Sequence, residues 1–590
     1  MSAEQLITQH INTWTSALQT RSTAGRGNNG KIDLYGIKKL REMILELAVR
    51  GKLVPQDPND EPASELLKRI AAEKAELVKQ GKIKKQKPLP EISEDEKPFK
   101  LPQGWVWTSL LELSEINPKI EITDDEQEVS FVPMPCISTR FDGVHEQETR
   151  KWIEVKKGYT HFANGDIALA KITPCFENSK AVIFSGLKNG VGVGTTELHV
   201  ARPCSSELNL QYLLLNIKSP NFLDIGESKM TGSAGQKRVP RSFFENYPLP
   251  FPPIEEQIRI VERFCQLMTI CDQLEQQSLT SLETHFQLVE TLLATLTNSK
   301  NAEELAENWA RISQHFDTLF TTEASIDALK QTILQLAVMG KLVPQDPNDE
   351  PASELLKRIE QEKAQLVKEG KIKKQKPLPP INEDEKPFEL PAGWLWCKFG
   401  ILSDFINGDR GGSYPNKNEY VEHGIPWINT GHIEKNGTLS TVKMNFITQK
   451  KYDELRSGKI CEGDLVYCLR GATFGKTSFV TPYNQGAIAS SLMIIRPHLI
   501  ELGSYIYNYL ISPLGKSQIF RFDNGSAQPN LSANSVMLYA FPCPPLKEQL
   551  RISYQIKMLS ELCEILKSRL RSARQTQIHL ADALTDAALS

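Results

Sequence analysis

The chain has 590 residues, of which 40% are hydrophobic and 24% charged, and its formal net charge is −3. This composition excludes a disordered or fibrous chain and is typical of several folded domains, because one domain usually holds roughly 100–200 residues. The nearly balanced charge means that any surface for an anionic partner must be local.

The polar N-terminal residues and the lack of a run of 18 apolar residues predict neither a secretory signal nor a membrane span. None of the ten cysteines forms a CxxC pair, which argues against a zinc site or a disulfide framework and fits a reducing compartment. We therefore expect a cytoplasmic protein with no bound metal and no membrane contact.

The N-terminal region, residues 1–105, reads as helical. Apolar residues at helical spacing predict helices over 4–18, 37–49 and 64–80. Gly51 follows the second of these helices, and a glycine just past the last helical residue is a common stop signal.

Two segments, 106–250 and 396–540, are β-rich, with short runs such as GDIALAKI and SLMIIRP between turn residues. They share Gly-Asp and Arg-Pro pairs at matching places but differ freely elsewhere, which predicts one fold with two different surfaces. The glycine-rich run at 190–196 lacks the spacing of a nucleotide-binding loop, and we interpret it as a tight β-turn.

Each β-rich segment leads into a long predicted helix, at PPIEEQIRI in the central region 251–395 and at PPLKEQLRI in the C-terminal region 541–590. Over 254–296 apolar or small residues recur every 3.5 residues, the coiled-coil period. These positions are Ile254, Ile258, Val261, Phe264, Met268, Cys271, Leu274, Ser278, Leu282, Phe286, Val289, Leu293 and Leu296. The C-terminal helix has similar spacing at Leu546, Leu550, Leu559, Leu562, Leu566 and Leu570.

An internal repeat determines how these regions are arranged. KLVPQDPNDEPASELLKRI occurs unchanged at 52–70 and 341–359, and 47 of 56 positions match between 52–107 and 341–396. Both copies include a lysine-rich KIKKQKP tract, which is either a solvated face or a contact with phosphate or an acidic protein. The central region holds one long helix and one copy of the repeat. The other copy of the repeat lies in the N-terminal region, and the other long helix in the C-terminal region. The sequence thus predicts an α+β fold in a pseudo-twofold circular arrangement, with two similar β-rich domains separated by long antiparallel coiled-coil helices.

The chain carries no motif that would support catalysis. It has neither a GxxxxGK[ST] phosphate loop nor HExxH, and its histidines show no ligand spacing. Asn117-Pro118 is followed by Lys119, so the Asn/Asp-Pro-Pro-aromatic tetrad of DNA amino-methyltransferases is missing. We expect a non-catalytic protein; the alternatives are a protein-only coiled-coil scaffold and a self-contained DNA methyltransferase with an unusual motif.

The two PPxxEQxRI sequences that follow two variable β-rich domains resemble the specificity subunit of type I restriction-modification systems. The duplicated GKLVPQDPNDEPASELLKRI block, followed by LPxGWxW, resembles the type IB branch of that family. The resemblance covers essentially the whole chain.

This resemblance implies that two target-recognition domains read the two unlike halves of a split double-stranded DNA site, with the long helices as a ruler between them. It also implies a scaffold for two methyltransferase subunits and two restriction subunits, so that the chain directs adenine methylation and restriction. S-adenosylmethionine, ATP and magnesium would be bound by those partners and not by this chain.

Candidate DNA-contacting residues are basic, amide or hydroxyl side chains in exposed loops, because arginine and lysine pair with guanine and asparagine and glutamine with adenine. In the first domain the loop 229–241 has four basic residues and no acid, and a second loop follows GDIALAKI. The candidates there are Lys171, Thr173, Ser233, Gln236, Lys237, Arg238 and Arg241. In the second domain three loops supply Arg410, Ser413, Tyr414, Arg470, Thr473, Lys476, Gln528 and Asn530. For each of these residues the alternative is a polar group that stabilises a turn.

Overall fold

The computed structural model describes residues 3–21, 31–84, 92–94, 97–233, 235–370, 376–471, 473–522 and 531–590. These residues form two compact units. The first contains the described parts of Met1–Ser22, Gly30–Thr280 and Ala573–Ser590, and the second those of Ser281–Ser572. Most of both KIKKQKP tracts lies outside the described residues.

The first unit holds all elements up to the start of the first long helix. Its helices are α1 (Ala3–Gln9), α2 (Ile11–Ser16), α3 (Tyr35–Val49), α4 (Ala63–Lys79), α5 (Leu110–Leu113), α6 (Trp152–Val155), α7 (Leu210–Ile217), α8 (Pro220–Ser228), α9 (Arg241–Asn246) and the beginning of α10 (Ile254–Asn298). Its strands are β1 (Gln19–Arg21), β2 (Lys31–Asp33), β3 (Val106–Thr108), β4 (Ser114–Ile116), β5 (Glu128–Val132), β6 (Glu148–Lys151), β7 (Thr160–Ala163), β8 (Ile167–Ala170), β9 (Ala181–Ile183), β10 (Val191–Gly194), β11 (Leu198–Pro203) and β12 (Leu249–Phe251).

The second unit repeats this order of elements. Its helices are α11 (Ala302–Gln314), α12 (Phe316–Leu319), α13 (Glu323–Val338), α14 (Ala352–Lys368), α15 (Gln449–Glu454), α16 (Gly503–Ile511), α17 (Pro513–Arg521), α18 (Ala533–Met537) and most of α19 (Leu546–Leu589). Its strands are β13 (Leu395–Lys398), β14 (Ser403–Asn407), β15 (Ile425–Ile428), β16 (Asn445–Ile447), β17 (Leu465–Cys468), β18 (Thr477–Phe479), β19 (Ala487–Ile488), β20 (Leu492–Pro497) and β21 (Ala540–Cys543).

Both units contain two corresponding β-sheets, one of which has four strands in the first unit and three in the second. The orders are β4-β11-β8-β9 and β6-β5-β10-β7 in the first unit, and β14-β20-β17-β18 and β16-β15-β19 in the second. β8 pairs antiparallel with β11, with Ala170 opposite Leu198, and β17 pairs antiparallel with β20, with Cys468 opposite Leu492. The prediction of one β-rich fold used twice is therefore confirmed.

The central strand of each segment is buried on both faces. In β8, Ile167 and Leu169 enter a core shared with the helices, whereas Ala168 and Ala170 enter a smaller core between the sheets. β17 divides its four residues between two cores in the same way. Successive strand residues point to opposite faces, so a strand inside two layers is apolar throughout, which explains the runs IALA and LVYC.

Most predicted helices are confirmed, as α3, α4, α10 and α19, with two corrections. The helix expected over 4–18 is interrupted at His10, whose backbone (φ −117°, ψ 22°) leaves the helical region, so α1 and α2 are separate. The glycine-rich run is not a tight turn, because it contains strand β10, which pairs with both β5 and β7. A Cβ at Gly192 would lie 2.4 Å from the ring of Phe162, so glycine permits this strand to pass close to the aromatic core.

The two chain ends together repeat the elements of the central region, as the internal repeat predicts. α10 starts in the first unit and ends in the second, whereas α19 starts in the second unit and ends in the first. Lys52 of the first repeat donates from Nζ to the carbonyl of Leu589, at the end of α19 (2.8 Å). Its counterpart Lys341 donates to the carbonyl of Thr297, at the end of α10 (2.9 Å).

Equivalent hydrogen bonds tie each repeat to the first turns of a long helix. The indole N–H of Trp105 donates to Glu256 (2.9 Å), which also accepts from the side-chain amide of Gln56 (3.2 Å). In the second unit, Glu548 accepts from the indole N–H of Trp394 (3.0 Å) and from the side-chain amide of Gln345 (3.1 Å). Both carboxylates are buried, and burial raises their pKa values while the donated hydrogen bonds act in the opposite direction.

The remaining polar residues of the two PPxxEQxRI sequences take part in the same junctions. The side-chain amide of Gln257 donates to the carbonyl of Pro252, and that of Gln549 to the carbonyl of Pro544, both at 2.9 Å. The arginines of the two sequences pair with Asp60 in the first unit and Asp349 in the second, each at 2.6 Å. The Glu, Gln and Arg side chains that the two motif copies share therefore all have a partner in the repeat or the turn.

The apolar faces of the long helices differ in part from the prediction. Ile258, Leu550 and Leu562 were expected to face inward, yet their exposed fractions are 41%, 46% and 53%. Residues two positions on, Ile260 and Ile552, are fully buried instead. α19 carries apolar residues on two faces, only one of which is buried. A single 3.5-residue period therefore includes residues from both the buried and the exposed face.

The buried glutamates give a stability prediction. Glu256→Ala removes the acceptor of the buried Trp105 N–H, so we expect a loss of about 1–3 kcal/mol in the first unit. Glu548→Ala should cause a similar loss in the second unit only. Denaturant-dependent amide hydrogen exchange in α3 and α13 reports the two units separately. The exposed neighbour Glu255→Ala is the control, and an effect of Glu256→Ala no larger than this control would contradict the assignment.

Candidate nucleic-acid interface

The first β-rich segment brings two predicted loops together. The recognition loop, residues 229–241, folds back on itself, so that Thr231 and Arg238 pair as in an antiparallel bridge. The loop after β8 lies along its second arm: the N–H of Thr173 donates to the carbonyl of Lys237 (3.0 Å), and that of Val239 to the carbonyl of Lys171 (2.8 Å). All candidates of this domain therefore belong to one continuous patch.

Exposure separates the candidates of this patch into two groups. The more exposed group is Ser233, Gln236, Lys237, Arg238 and Arg241. Lys171 and Thr173 are half-buried, and the hydroxyl of Thr173 points toward the sulfur of Met230 (3.7 Å). The first group can reach a ligand without any rearrangement of the loop.

Two glutamates from outside the recognition loop pair with arginines of the loop. Glu197, just before β11, accepts three hydrogen bonds of 2.8–3.2 Å from Arg238. Glu245, on α9, accepts one from Arg241 at 2.8 Å. The Arg238 guanidinium lowers the pKa of Glu197, which keeps that carboxylate ionised. Neither glutamate was identified in the sequence analysis. Glu197 is distant in sequence from Arg238, whereas Glu245 follows Arg241 by four residues, a spacing at which side chains on a helix can pair.

The second β-rich segment presents a less basic loop after β14. Arg410 is exposed, while the adjacent Asp409 accepts the N–H groups of Gly411 and Arg456, both at 2.7 Å. These hydrogen bonds lower the pKa of Asp409. Tyr414 packs edge-on against the buried Trp427, with ring centroids 5.3 Å apart. The predicted contacts of Arg410, Ser413 and Tyr414 with DNA stay predictions, and the tyrosine ring also contributes to the local core.

The loop after β17 has one structural lysine. Lys476 donates from Nζ to the carbonyl of Ile433 (2.7 Å), as Lys180 of the first segment does to the carbonyl of Met134 (2.8 Å). Arg470 and Thr473 are exposed. The remaining two candidates of this domain, Gln528 and Asn530, lie outside the described residues.

An ion pair between a buried aspartate and a half-buried arginine supports each β-rich segment at the matching Gly-Asp and Arg-Pro positions. Arg202 donates through Nε and Nη2 to Asp166 at 2.9 and 2.7 Å, and Arg496 donates to Asp464 at 2.8 Å through both nitrogens. Both carboxylates are buried. Since removing one partner of a buried pair is strongly destabilising, these residues are shared while the loops around them differ.

No group of three His, Cys, Asp or Glu side chains within the described ranges is suited to hold a metal ion. Among the described helices, none combines the length and apolar character needed to span a membrane.

Comparison with known proteins identifies the family. The model of the type I restriction modification DNA specificity domain matches residues 102–284 and 397–573. The chain belongs to this specificity family. Two Escherichia coli relatives, the type I restriction enzyme EcoEI and EcoAI specificity subunits, are 65% and 63% identical over 605 and 595 aligned residues. Each of these two comparisons covers 100% of both chains.

Solved structures are more distant from this member of the specificity family. A chain from a study of complex assembly and conformational transition of the type I R-M system covers 83% of this chain and 99% of its own, with 17% identity and a TM-score of 0.49. The HsdS subunit from Thermoanaerobacter tengcongensis covers 83% and 98%, with 17% identity and a TM-score of 0.40.

A buried lysine under the loop after β8 was also missed. Lys218, only 2% exposed, donates from Nζ to the carbonyl of Ser179 (2.8 Å) near the end of that loop. Burial lowers the pKa of Lys218 from 10.5 to about 7, with the Asp142 carboxylate acting in the opposite direction. The corresponding residue of the second segment is Ile511, so this lysine belongs to the first domain alone.

The pKa of Lys218 predicts a pH-dependent stability. Between the folded value of about 7 and the ordinary 10.5 the unfolded chain binds more protons, so stability should rise with pH across this window and level off below it. Relative to Lys218→Met, the wild-type chain should gain roughly 1.4 kcal/mol per pH unit. Denaturant unfolding of the first unit at two pH values in this window measures the difference. Lys188→Met, at an exposed position, should keep the wild-type pH dependence; the same pH dependence in Lys218→Met would contradict the prediction.

Proposed function

We propose that this chain is the non-catalytic subunit that gives a type I restriction-modification complex its DNA sequence specificity. Residues 106–250 and 396–540 would each read one half of a split, asymmetric double-stranded site. The regions 1–105, 251–395 and 541–590 would hold the domains and the partner subunits. In this way the chain would direct both adenine methylation and restriction in the cytoplasm.

One observation carries this proposal: two copies of one scaffold present different loops, and each is joined to a repeated element by the same hydrogen bonds. The first domain exposes Gln236, Lys237 and Arg238 in its recognition loop. The second domain exposes Arg410 in the loop after β14 and Arg470 in the loop after β17. Direct readout requires different side chains for different bases, while docking of two identical subunits requires the same surface twice. A protein-only scaffold would not need two diverged sets of polar loops.

The long helices suit the role of a ruler. Modules that read one face of B-DNA sit about 34 Å apart per helical turn, or at multiples of that distance. The buried junctions at Glu256 and Glu548 fix the start of each helix relative to its repeat, so the helices rather than flexible linkers would set the separation between half-sites.

A second apolar face on α19 supports protein partners. Leu550, Tyr554, Met558, Leu562 and Ile565 form a stripe opposite the buried side of the helix, and their exposed fractions range from 41% to 66%. On α10, Ile258 and Ile270 stand at the positions that correspond to Leu550 and Leu562, and their exposed fractions are 41% and 37%. A contiguous exposed apolar face on a helix is typical of a protein interface.

We assign these faces to two methyltransferase subunits, one beside each repeat, with two restriction subunits joining the full complex. S-adenosylmethionine would belong to the methyltransferase subunits, and ATP and magnesium to the restriction subunits. This division leaves to the present chain the tasks of reading DNA and holding its partners.

The apolar stripe gives a prediction about assembly. Leu562→Asp places a charge in the proposed interface on α19 and should reduce the complex from two methyltransferase subunits to one. Native mass spectrometry of the co-purified complex measures this stoichiometry. Ser568→Asp, on an exposed polar position of the same helix, is the matched control. Two bound subunits in the Leu562→Asp complex would reject this assignment.

Exchange of a recognition domain tests the reading function. Replacement of residues 106–250 by the corresponding segment of one of the E. coli relatives should change one half of the selected DNA site and leave the other half and the spacing intact. Selection of binding sites from a random DNA library by the complex with its methyltransferase subunits measures this. Substitution of 396–540 is the reciprocal control, and a change in both halves from one exchange would contradict independent reading.

A further inference from the structure

Among the described candidates, Arg238 is the arginine whose guanidinium is bound on one side by a carboxylate from the turn before β11. Its Nε donates to Glu197 Oε2 at 2.9 Å and its Nη2 to Oε1 at 2.8 Å. Its Nη1 donates to the carbonyl of Gln236 at 3.2 Å. The carboxylate and the carbonyl therefore hold the guanidinium in a fixed plane.

This arrangement leaves donors on the outer side of the guanidinium. Arginine has five N–H groups, and the three nitrogens use one each in these contacts, so Nη1 and Nη2 each retain one. Arg238 is 44% exposed although it is paired. Two donors from adjacent nitrogens match the O6 and N7 acceptors of guanine in the major groove, which is the commonest specific arginine contact with DNA.

The carboxylate makes Arg238 better suited to a base than to the DNA backbone. Glu197 orients the side chain before DNA arrives, which reduces the conformational freedom lost on binding. It also places a negative charge beside the guanidinium, which weakens the attraction of a phosphate. Lys237 is exposed in the same loop and has no such carboxylate among the residues that the structure describes, so it fits a phosphate contact better.

The second β-rich segment has a different pair at the same two positions. The N–H of Lys171 donates to Glu197 as that of Leu469 donates to Ser491, both at 2.9 Å. The residues that follow Arg238 and Asn530 likewise donate to Lys171 and Leu469, at 2.8 and 3.1 Å. Position 238 thus corresponds to Asn530 in sequence, and Glu197 to Ser491. Asn530 itself lies outside the described residues. In sequence, the glutamate accompanies an arginine in the first segment, and a serine accompanies an asparagine, a residue that pairs with adenine, in the second.

We propose that Arg238, oriented by Glu197, reads a guanine in the half-site of the first domain. Glu197 is a positioning residue, and Arg238 makes the base contact. The inference rests on the proposed function and adds to it the base that one residue recognises and the half-site in which that base lies.

Selection from a random DNA library by the complex with its methyltransferase subunits tests this pair. With the wild-type chain we expect a guanine at one position of the first half-site. Arg238→Ala should relax selection at that G·C pair by roughly 5- to 150-fold, the range for loss of one bidentate contact, and leave the second half unchanged. Arg238→Lys should relax the same position, because a lysine cannot keep the carboxylate contact and offer two coplanar donors.

Glu197→Ala tests the positioning role. It should relax the same G·C pair by a smaller factor, and the double variant with Arg238→Ala should be no less selective than Arg238→Ala alone. A merely structural role of Glu197 would lower binding to all sequences equally. Arg150→Ala is the matched control, because Arg150 is an exposed arginine paired with a glutamate on β6 of the same domain. It should leave selection unchanged.

The outcomes separate this inference from the proposed function. A wild-type complex that selects no split site would contradict the proposed function itself. A wild-type complex that selects a split site, with Arg238→Ala lowering binding uniformly and Arg238→Lys restoring it, would show a phosphate contact and overturn the guanine assignment. Relaxation in the second half-site would also overturn it.

Discussion

A buried glutamate at the start of each long helix is the interaction on which the arrangement of this protein depends. Glu256 accepts hydrogen bonds from Trp105 and Gln56. Glu548 accepts the equivalent hydrogen bonds from Trp394 and Gln345. A buried carboxylate is stable only while its hydrogen-bond donors are present, so the glutamate of each long helix and the glutamine and tryptophan of its repeat must be retained together. This constraint explains why the same glutamine and tryptophan stand in both copies of the repeat.

The recognition loops are free of that constraint. In each β-rich segment a buried aspartate–arginine pair and an apolar central strand fix the frame, and the loops at its edge hold few buried contacts. New side chains can therefore appear in a loop without loss of the fold. Two further residues of the first domain support its loops. Glu197 orients Arg238, and Lys218 holds the end of the loop after β8 through the carbonyl of Ser179.

Much of the fold was predictable, because a repeat at fixed spacing and a heptad-like helix are properties of sequence alone. The contacts of Lys52 and Lys341 with the ends of the two long helices confirm that the two chain ends together repeat the central region, as the internal repeat predicted. The pairing of Arg238 with Glu197 was not predictable, since it depends on how the loop after β8 lies beside β11. The inward face of α19 was also mistaken, because apolar residues occupy two sides of that helix and only one is packed.

The central claim is that this chain chooses the DNA sequence on which its partners act. The most direct measurement is sequencing of methylated adenines in the genomic DNA of a host that expresses the methyltransferase subunit, with and without this gene. The account predicts a split motif with two unlike halves and a fixed gap, methylated only when the gene is present. Methylation of the same motif in the absence of the gene would contradict the claim.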